Sequence, residues 1–207
     1  MTKNNREYRN MTYEVREDGD KPSFLVEGYA STFEPYKLIE IDGDDYFEKI
    51  EPTAFDDADM SDVVYRIDHD GKVFARSSAG SIQLDIDEHG LHQVTDLGRT
   101  KAGQDHFEEI KAGNYPQMSF AFTVAEDHYD ADTRTRIIDR IGKVFDISAV
   151  SFPANPTTEL HVRDYFNGVI EMEKAAEAER LAAEEAERRD SERYGEQIKK
   201  IQEVLSK

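Results

Sequence analysis

The stretch YPQMSFAFTVA, residues 115–125, has the alternating pattern of a β-strand that buries one face. Its apolar side chains Met118, Phe120 and Phe122 would point to one side and form part of a core. The other side carries only small residues, with Ser119 near the start of the strand. A strand so apolar on one face and so bare on the other indicates either tight packing of a second element or the close approach of a ligand.

The segments around this strand are mostly strands as well. Residues 81–97 alternate in hydrophobicity on both sides of a turn at residues 88–90, which is the pattern of a β-hairpin. Residues 62–68 and the segment VFDISAVSF, residues 144–152, predict two further apolar strands. Between the serine strand and VFDISAVSF, the segment EDHYDADT, residues 126–133, predicts an acidic loop, and TRTRIIDRI, residues 133–141, predicts a separate strand. Between the hairpin and the serine strand, Thr100 can cap a helix. This order predicts an α+β fold that is mainly β: a closed or nearly closed β-barrel with flanking helices.

The two ends of the chain differ in composition from the middle. Residues 1–10 are polar and predict a frayed arm. After about Gly168 the chain is almost entirely Ala, Glu and Arg, with opposite charges three and four residues apart, which favours a solvated helix. We therefore predict a barrel domain at residues 1–163 and a charged helical tail at residues 164–207, which is a linker or binds a partner. The tail ends in a short apolar seam typical of helix pairing, made of Tyr194, Ile198, Ile201 and Leu205.

The composition excludes several classes of function. The net charge is −19, and most of it lies on residues 1–163, so the body of the protein would repel nucleic acid and attract basic protein partners. The chain has no cysteine, which excludes disulfides, thiol nucleophiles and cysteine-based metal sites. No apolar run approaches the roughly 18 residues of a membrane span, and the N-terminus lacks the apolar stretch of a signal peptide. We expect a soluble intracellular protein with neither nucleic-acid nor membrane partners.

No motif in the sequence predicts a cofactor or a metal. The P-loop, dinucleotide-binding, HExxH and GxSxG patterns are absent. Asp130 and Asp132 resemble half of a calcium loop, but the glycine and the distal glutamate are missing. His89 and His92 flank the turn of the hairpin and could share a metal across it. We expect them to be ordinary histidines of the hairpin that bind no metal. His106 and His128 are expected at the surface, and we expect neither a cofactor nor a metal.

Three residues have the chemistry of a nucleophilic site. His69 ends an apolar strand in RIDHDG, residues 66–71, where a surface role is usual unless a nucleophile and an acid converge on it. Ser119 supplies a nucleophile on the bare face of its strand. Asp146 lies within an apolar strand, where a carboxylate is costly unless it has a donor such as an imidazole N–H. The sequence therefore predicts His69, Ser119 and Asp146 as a catalytic set.

Three segments together resemble a known family: RIDHDG, NYPQMSFAF and DISAVSFPANPTTEL. Their order and spacing are similar to those of the prohead, or capsid maturation, serine proteases of tailed bacteriophages, which are related to the herpesvirus assemblins. The resemblance implies an assemblin-like β-barrel with flanking helices, with His69 and Ser119 as the catalytic histidine and serine. Family members often carry an acidic residue at the place of Asp146, whereas assemblins use a second histidine, which here would be His128 or His161.

The resemblance also implies what the protein does. It predicts a serine endopeptidase that cleaves scaffold and capsid protein, and itself, during procapsid maturation. Its partners would be the phage scaffold, the major capsid protein and further copies of itself, in the host bacterial cytoplasm inside the assembling procapsid. The alternative is a non-catalytic scaffolding or assembly protein with a degenerate protease barrel, which would have no reason to keep the His–Ser–acid set. A soluble esterase is a third hypothesis, and the missing GxSxG elbow argues against it.

Overall fold

The computed structural model describes residues 6–11, 13–16, 23–151 and 156–205. The chain divides into two compact units, Met1–Val162 and Arg163–Lys207. The helices are α1 (Lys101–Lys111) and α2 (Pro156–Leu205), and short 3-10 turns lie at Pro52–Phe55 and Ser77–Ala79. The strands, in chain order, are β1 (Glu7–Met11), β2 (Tyr13–Arg16), β3 (Leu25–Thr32), β4 (Tyr36–Ile41), β5 (Asp44–Ile50), β6 (Val64–Ile67), β7 (Asp70–Arg76), β8 (Ile82–Ile86), β9 (Gly90–Asp96), β10 (Gln117–Asp130) and β11 (Thr135–Val150).

The strands of the first unit form two sheets. The larger sheet has the order β1-β10-β11-β5-β4, with β6 attached to β11 and β7 to β6, and the smaller sheet has the order β2-β3-β9-β8. The class predicted from the sequence, α+β and mainly β, is confirmed. The predicted barrel takes a different form: among the described residues, the pairings give two sheets and no closed barrel.

Strand β11 organises the larger sheet. One of its edges pairs antiparallel with β10 along almost its whole length. The other edge pairs in parallel with β5 near its start, at residues 135–138, and with β6 near its end, at residues 146–149. A strand of 16 residues has room for two successive neighbours on one edge. This arrangement brings the end of β6 close to the start of β10.

The serine strand packs as the sequence predicts, but on both faces. Met118, Phe120 and Phe122 are completely buried, and the rings of the two phenylalanines stack with their centres 4.5 Å apart. Burial of such a side chain contributes about 1.5–3 kcal/mol to the free energy of folding. Ser119 and Ala121 on the other face are buried too, so the small residues make room for a second layer of side chains.

The predicted hairpin and helix are confirmed. Strands β8 and β9 pair antiparallel across the turn. Thr100 caps α1, since its side chain accepts a hydrogen bond from the backbone N–H of Gly103 at 3.0 Å. A Cβ at Gly103 would lie 2.2 Å from the backbone oxygen of Leu97, so only glycine allows the helix to begin this close to the preceding strand.

Two sequence predictions about strand ends were wrong. Residues 126–130, predicted as part of an acidic loop, continue β10, and the two strands predicted at 133–141 and 144–152 form the single strand β11. The pairing of β10 with β11 shifts register four times between Ala121 and Asp127. Such bulges bend a long hairpin without ending it, and they allow exposed polar residues to remain in strand conformation.

The prediction of a frayed arm at residues 1–10 was also wrong for the residues of this segment that the structure describes. Residues 7–11 form β1, which pairs antiparallel with β10. The side chain of Arg9 is buried and forms a bidentate ion pair with Glu48 of β5, with N–O distances of 2.5 and 2.6 Å. The attraction of Glu48 raises the pKa of Arg9 well above its usual value although burial opposes this. An ion pair between residues far apart in sequence leaves no local pattern from which the strand could be predicted.

His106 on α1 lies in the core rather than at the predicted surface. Its ring is buried, stacks on Phe74 with ring centres 4.7 Å apart and meets Tyr115 edge-on at 5.1 Å. Burial disfavours the charged imidazolium and lowers the pKa of His106, although Glu109 lies 3.5 Å away and opposes the shift. His106 lies on the same face of α1 as the buried residues Gly103 and Ile110.

We expect His106 to make the fold sensitive to acid. Its pKa is lower in the folded than in the unfolded state, so the folded state binds fewer protons and loses stability as the pH falls below about 6.5. His106→Gln should therefore reduce the drop in Tm between about pH 7.5 and pH 5. His128→Gln is the control, because the hydrogen bond to Asp139 raises the pKa of His128. Protonation of His128 therefore stabilises the folded state, and its removal should not reduce the acid-dependent loss of Tm. An unchanged acid-dependent loss of Tm in His106→Gln would contradict this assignment.

The second unit contains the part of α2 from Arg163 onward. Every described side chain from Glu171 onward is exposed, and the helix is stabilised by charge pairs one turn apart, such as Arg180–Glu177 and Arg189–Glu185. Tyr194 and Ile198 of the predicted seam are 66% and 41% exposed, whereas the side chains of Ile201 and Leu205 lie outside the described residues. Among the described residues, no helix is both long and apolar enough to cross a membrane.

Candidate active site

His69, Ser119 and Asp146 lie in hydrogen-bond contact with each other. Nδ1 of His69 is 2.6 Å from Oδ1 of Asp146, and Nε2 of His69 is 2.7 Å from Oγ of Ser119. An ionised carboxylate only accepts hydrogen bonds, so the proton of a neutral His69 lies on Nδ1 and is donated to Asp146. Nε2 is then free to accept the hydroxyl proton of Ser119. The order is that of an acid, a base and an activated nucleophile.

The register of the large sheet explains why these residues meet. Ala121 of β10 lies opposite Asp146 of β11, and Ser119 lies opposite Ser148. Residues that face each other across paired strands point to the same side of a sheet. Ser119 and Asp146 therefore share the face on which small side chains leave space. The ring of His69 fills that space and bridges the two.

A strained turn presents His69 to this face. Asp68 and His69 connect β6 to β7 and have φ angles of +47° and +60°, which two-residue hairpin turns require and which few residues other than glycine adopt. The Asp68 carboxylate fixes the turn, since it accepts hydrogen bonds from the backbone N–H and the hydroxyl of Ser151 at 2.8 and 2.9 Å. The N–H of Asp68 donates to the backbone oxygen of Ala149 at 2.9 Å. Backbone strain held by several contacts is typical of functional sites.

The three side chains of the site are almost completely buried. Ser119 and Asp146 are 1% and 2% exposed, and the side chain of His69 is 9% exposed. The ring of Tyr8 on β1 contacts the His69 ring edge-on, with the centres 4.4 Å apart. Charges and hydrogen bonds in such a place act in a medium of low dielectric and are stronger than in water.

Ser148 is a member of the site that sequence reasoning did not single out. Its hydroxyl is completely buried and donates a hydrogen bond to Oδ1 of Asp146 at 2.8 Å. The same oxygen accepts the N–H of His69, so the two donors together hold the orientation of the carboxylate. The signal was present in the sequence, because Ser148 follows Asp146 by two residues in a strand and therefore lies on the same face.

Of the two rival histidines for the third position, His128 does not occupy it. His128 is 57% exposed and forms its hydrogen bond with Asp139 at 2.6 Å. Its strand position lies nine residues beyond Ser119 on β10. The side chain of His161 lies outside the described residues. Asp146 is thus the residue whose carboxylate contacts Nδ1 of His69, and its catalytic role stays a prediction.

The other polar clusters do not extend the site. His89 is exposed near Asp87 and Glu88, and Nε2 of His92 lies 3.2 Å from Glu27. Asp130 accepts hydrogen bonds from the backbone of Asp132 and the hydroxyl of Thr133, as in a hairpin turn. In the part of the chain with described side chains, no three His, Asp or Glu residues are grouped to hold a metal ion.

A family model described as caudovirus prohead serine protease matches residues 11–171. The match covers most of the chain and contains His69, Ser119 and Asp146. Comparisons with curated proteins and with solved structures give no match.

Proposed function

The chain belongs to the caudovirus prohead serine protease family, and we propose that it is a serine endopeptidase whose catalytic residues are Ser119, His69 and Asp146. The observation that carries this proposal is the unbroken chain of hydrogen bonds from Asp146 through His69 to Ser119. A non-catalytic assembly protein would have no use for a nucleophile, a base and an acid that are aligned and shielded from water.

In the proposed reaction, the hydroxyl of Ser119 attacks the carbonyl carbon of the scissile peptide bond. His69 takes the hydroxyl proton on Nε2 and then gives it to the leaving amine, which breaks the C–N bond and leaves an acyl group on Ser119. A water molecule, deprotonated by Nε2 of His69, then attacks the acyl carbon, and His69 returns the proton to Oγ of Ser119 as the C–O bond breaks and the acid product leaves. Each step thus uses the same nitrogen, first as a base and then as an acid.

Asp146 supports both steps through Nδ1. Its hydrogen bond fixes the tautomer of His69, and its negative charge stabilises the imidazolium that forms when Nε2 takes the proton. Because Asp146 is buried, water screens this electrostatic stabilisation only weakly. The hydroxyl of Ser148 keeps the carboxylate turned toward His69.

The family supports a role in capsid maturation. We propose that the substrates are the scaffold and the major capsid protein of the same procapsid, together with the chain itself, and that cleavage takes place inside the procapsid in the host cell. The test is to incubate the purified chain with these two proteins and to map the fragments by mass spectrometry. Discrete internal cleavages are expected with the wild type, and intact proteins after long incubation would contradict the proposal.

Ser148→Ala should reduce the cleavage rate without unfolding the protein. A hydrogen bond to a charged group contributes about 1.5–3 kcal/mol, so its loss should lower kcat by roughly tenfold to a hundredfold. Ser148→Thr keeps a hydroxyl and should recover part of the rate. Ser81→Ala is the matched control, since Ser81 is a buried serine whose hydroxyl bonds to the backbone of Arg76 instead. Full activity of Ser148→Ala would show that Asp146 needs no second donor.

The tail is proposed to bring the protease into the procapsid rather than to stabilise the protease domain. Phe166 and Val169 are buried, whereas the described side chains from Glu171 onward are exposed. The informative truncation therefore ends after Glu171, because it keeps these two buried residues and lies where the family match also ends.

We expect the chain truncated after Glu171 to keep its Tm and its peptidase activity and to be packaged at a strongly reduced level. The measurement is the amount of protease recovered in purified procapsids when full-length and truncated chains are expressed equally. A full-length chain with Tyr194→Ser and Ile198→Ser is the control that removes the exposed apolar seam but keeps the helix charge. Equal packaging of all three chains would show that the tail is a solvated extension.

A further inference from the structure

The outer edge of the catalytic strand is occupied by the chain's own N-terminal strand. Strand β1 pairs antiparallel with β10, and Asn10 lies directly opposite Ser119 while Tyr8 lies opposite Ala121. Strand β1 ends the order of the larger sheet on this side. The family match begins at residue 11, so almost all of β1 precedes the matched region.

This strand also closes the site. With β1 in place Ser119 is 1% exposed, and the ring of Tyr8 covers one side of His69. A peptide cannot bring a carbonyl carbon within bonding distance of a hydroxyl that is covered in this way. Substrate entry therefore requires a rearrangement next to Ser119, and β1 is the element that lies there.

We propose that the edge of β10 beside Ser119 is the docking edge for substrate, that the substrate binds there as an added antiparallel strand, and that β1 is a self-strand that must leave first. The inference rests on the proposed function, because it names how the substrate of that same site is bound. Addition of a strand to a free sheet edge is a common mode of peptide recognition, in which backbone hydrogen bonds give affinity and side-chain pockets give specificity. An incoming strand would replace the backbone bonds that β1 gives up, residue for residue.

The contacts on the opposite face of β1 indicate what the docking edge recognises. Arg9 enters the core beside Phe120 and pairs with the buried Glu48. When β1 leaves, Glu48 still has Arg136, 3.3 Å away, and the hydroxyl of Tyr36 as partners. The buried charge of Glu48 therefore keeps partners after β1 leaves. An unpaired charge in the core would be costly. A substrate strand with Arg or Lys at the position of Arg9 would recover the same ion pair.

A reversible covalent lock tests whether β1 must leave. Met11 and Met118 face each other across β1 and β10, and opposite residues of antiparallel strands lie within the distance that a disulfide spans. The wild-type chain has no cysteine, so in Met11→Cys combined with Met118→Cys this is the one disulfide that can form within a molecule, and the oxidised monomer is separated from any cross-linked dimer before labelling. The readout is the rate at which a fluorophosphonate probe labels Ser119, located by mass spectrometry, in the oxidised and reduced full-length chain.

We expect the oxidised double variant to label at least about tenfold more slowly than the same chain after reduction, because labelling requires the fraction of molecules in which β1 has left. The single variants should not respond to reductant. Equal labelling of the oxidised and reduced chains would overturn the docking inference and leave the proposed function intact. A chain that never labels at Ser119, either as the wild type or as Arg9→Gln, would overturn the proposed function and the inference with it.

A second variant decides the question if the double variant does not fold. Arg9→Gln removes the ion pair that anchors β1 and should raise the labelling rate above that of the wild type. Arg134→Gln is the matched control, because it removes an exposed pair with Asp44, at 2.7 Å, elsewhere in the same sheet. A rate for Arg9→Gln at or below the wild-type rate would overturn the proposal that β1 blocks the docking edge.

Discussion

Ser119→Ala is expected to abolish peptide cleavage while the protein stays folded. Removal of the nucleophile leaves only the rate that binding and electrostatic stabilisation provide, a loss of roughly four to six orders of magnitude in kcat. The substitution deletes one hydroxyl from a face of small residues, so the cost in stability should be about 1 kcal/mol. The measurements are the rate of fragment formation by mass spectrometry and the Tm of the purified variant.

Ser81→Ala controls for the loss of a buried hydroxyl as such. Ser81 lies in the same unit but bonds to the backbone of Arg76, away from His69. It should lose a similar amount of stability and keep the wild-type rate. A Ser119→Ala chain that still cleaves scaffold or itself at a rate near that of the wild type would show that another residue is the nucleophile.

Asp146→Asn should have the second largest effect, a drop of roughly 10⁴ in kcat with the fold retained. The amide of asparagine can donate to Nδ1 of His69, which moves the imidazole proton to Nε2. In this tautomer Nε2 cannot accept the proton of Ser119, so the base is present but wrongly protonated. The matching measurement is kcat with the same substrate, together with the Tm.

Asp139→Asn is a matched control on the same strand. Asp139 also accepts a hydrogen bond from a histidine, His128, at 2.6 Å, but this pair lies at the exposed part of the hairpin. It should leave the rate unchanged. If Asp146→Asn kept its activity and Asp139→Asn or a change of His161 lost it, the third catalytic position would belong to a histidine.

The sequence predicts the parts of this fold that depend on local patterns. The alternation of Met118, Phe120 and Phe122 correctly predicts a strand with a buried apolar face, and Thr100 correctly predicts the start of α1. The arrangement of strands into two sheets was not predictable in the same way, because it depends on which distant segments pair along the two edges of β11. Strand β1 was missed for the same reason, since its anchor Glu48 lies 39 residues from Arg9.

The candidate site was predictable in its residue types but not in its closure. His69 stands out as a histidine in a tight turn, and Asp146 as a carboxylate in an apolar strand, because both positions are costly without a partner. The supporting contacts of Ser148 and Tyr8 are ordinary in sequence and gain meaning only from the register of β1, β10 and β11. Similarly, His106 is buried by contacts with Phe74 and Tyr115. These two residues lie outside α1, so the sequence of the helix does not predict the contacts.

Covalent labelling of the full-length chain with a fluorophosphonate probe tests the central claim most directly. The hydroxyl of an activated serine displaces fluoride from phosphorus and gives its proton to the neighbouring base, so the adduct marks a nucleophile that has a working base. We predict a single adduct on Ser119, lost in Ser119→Ala and strongly slowed in His69→Gln. An adduct on another residue that survives His69→Gln, or no adduct even when Arg9→Gln loosens β1, would contradict the assignment of His69 and Ser119 as the catalytic pair.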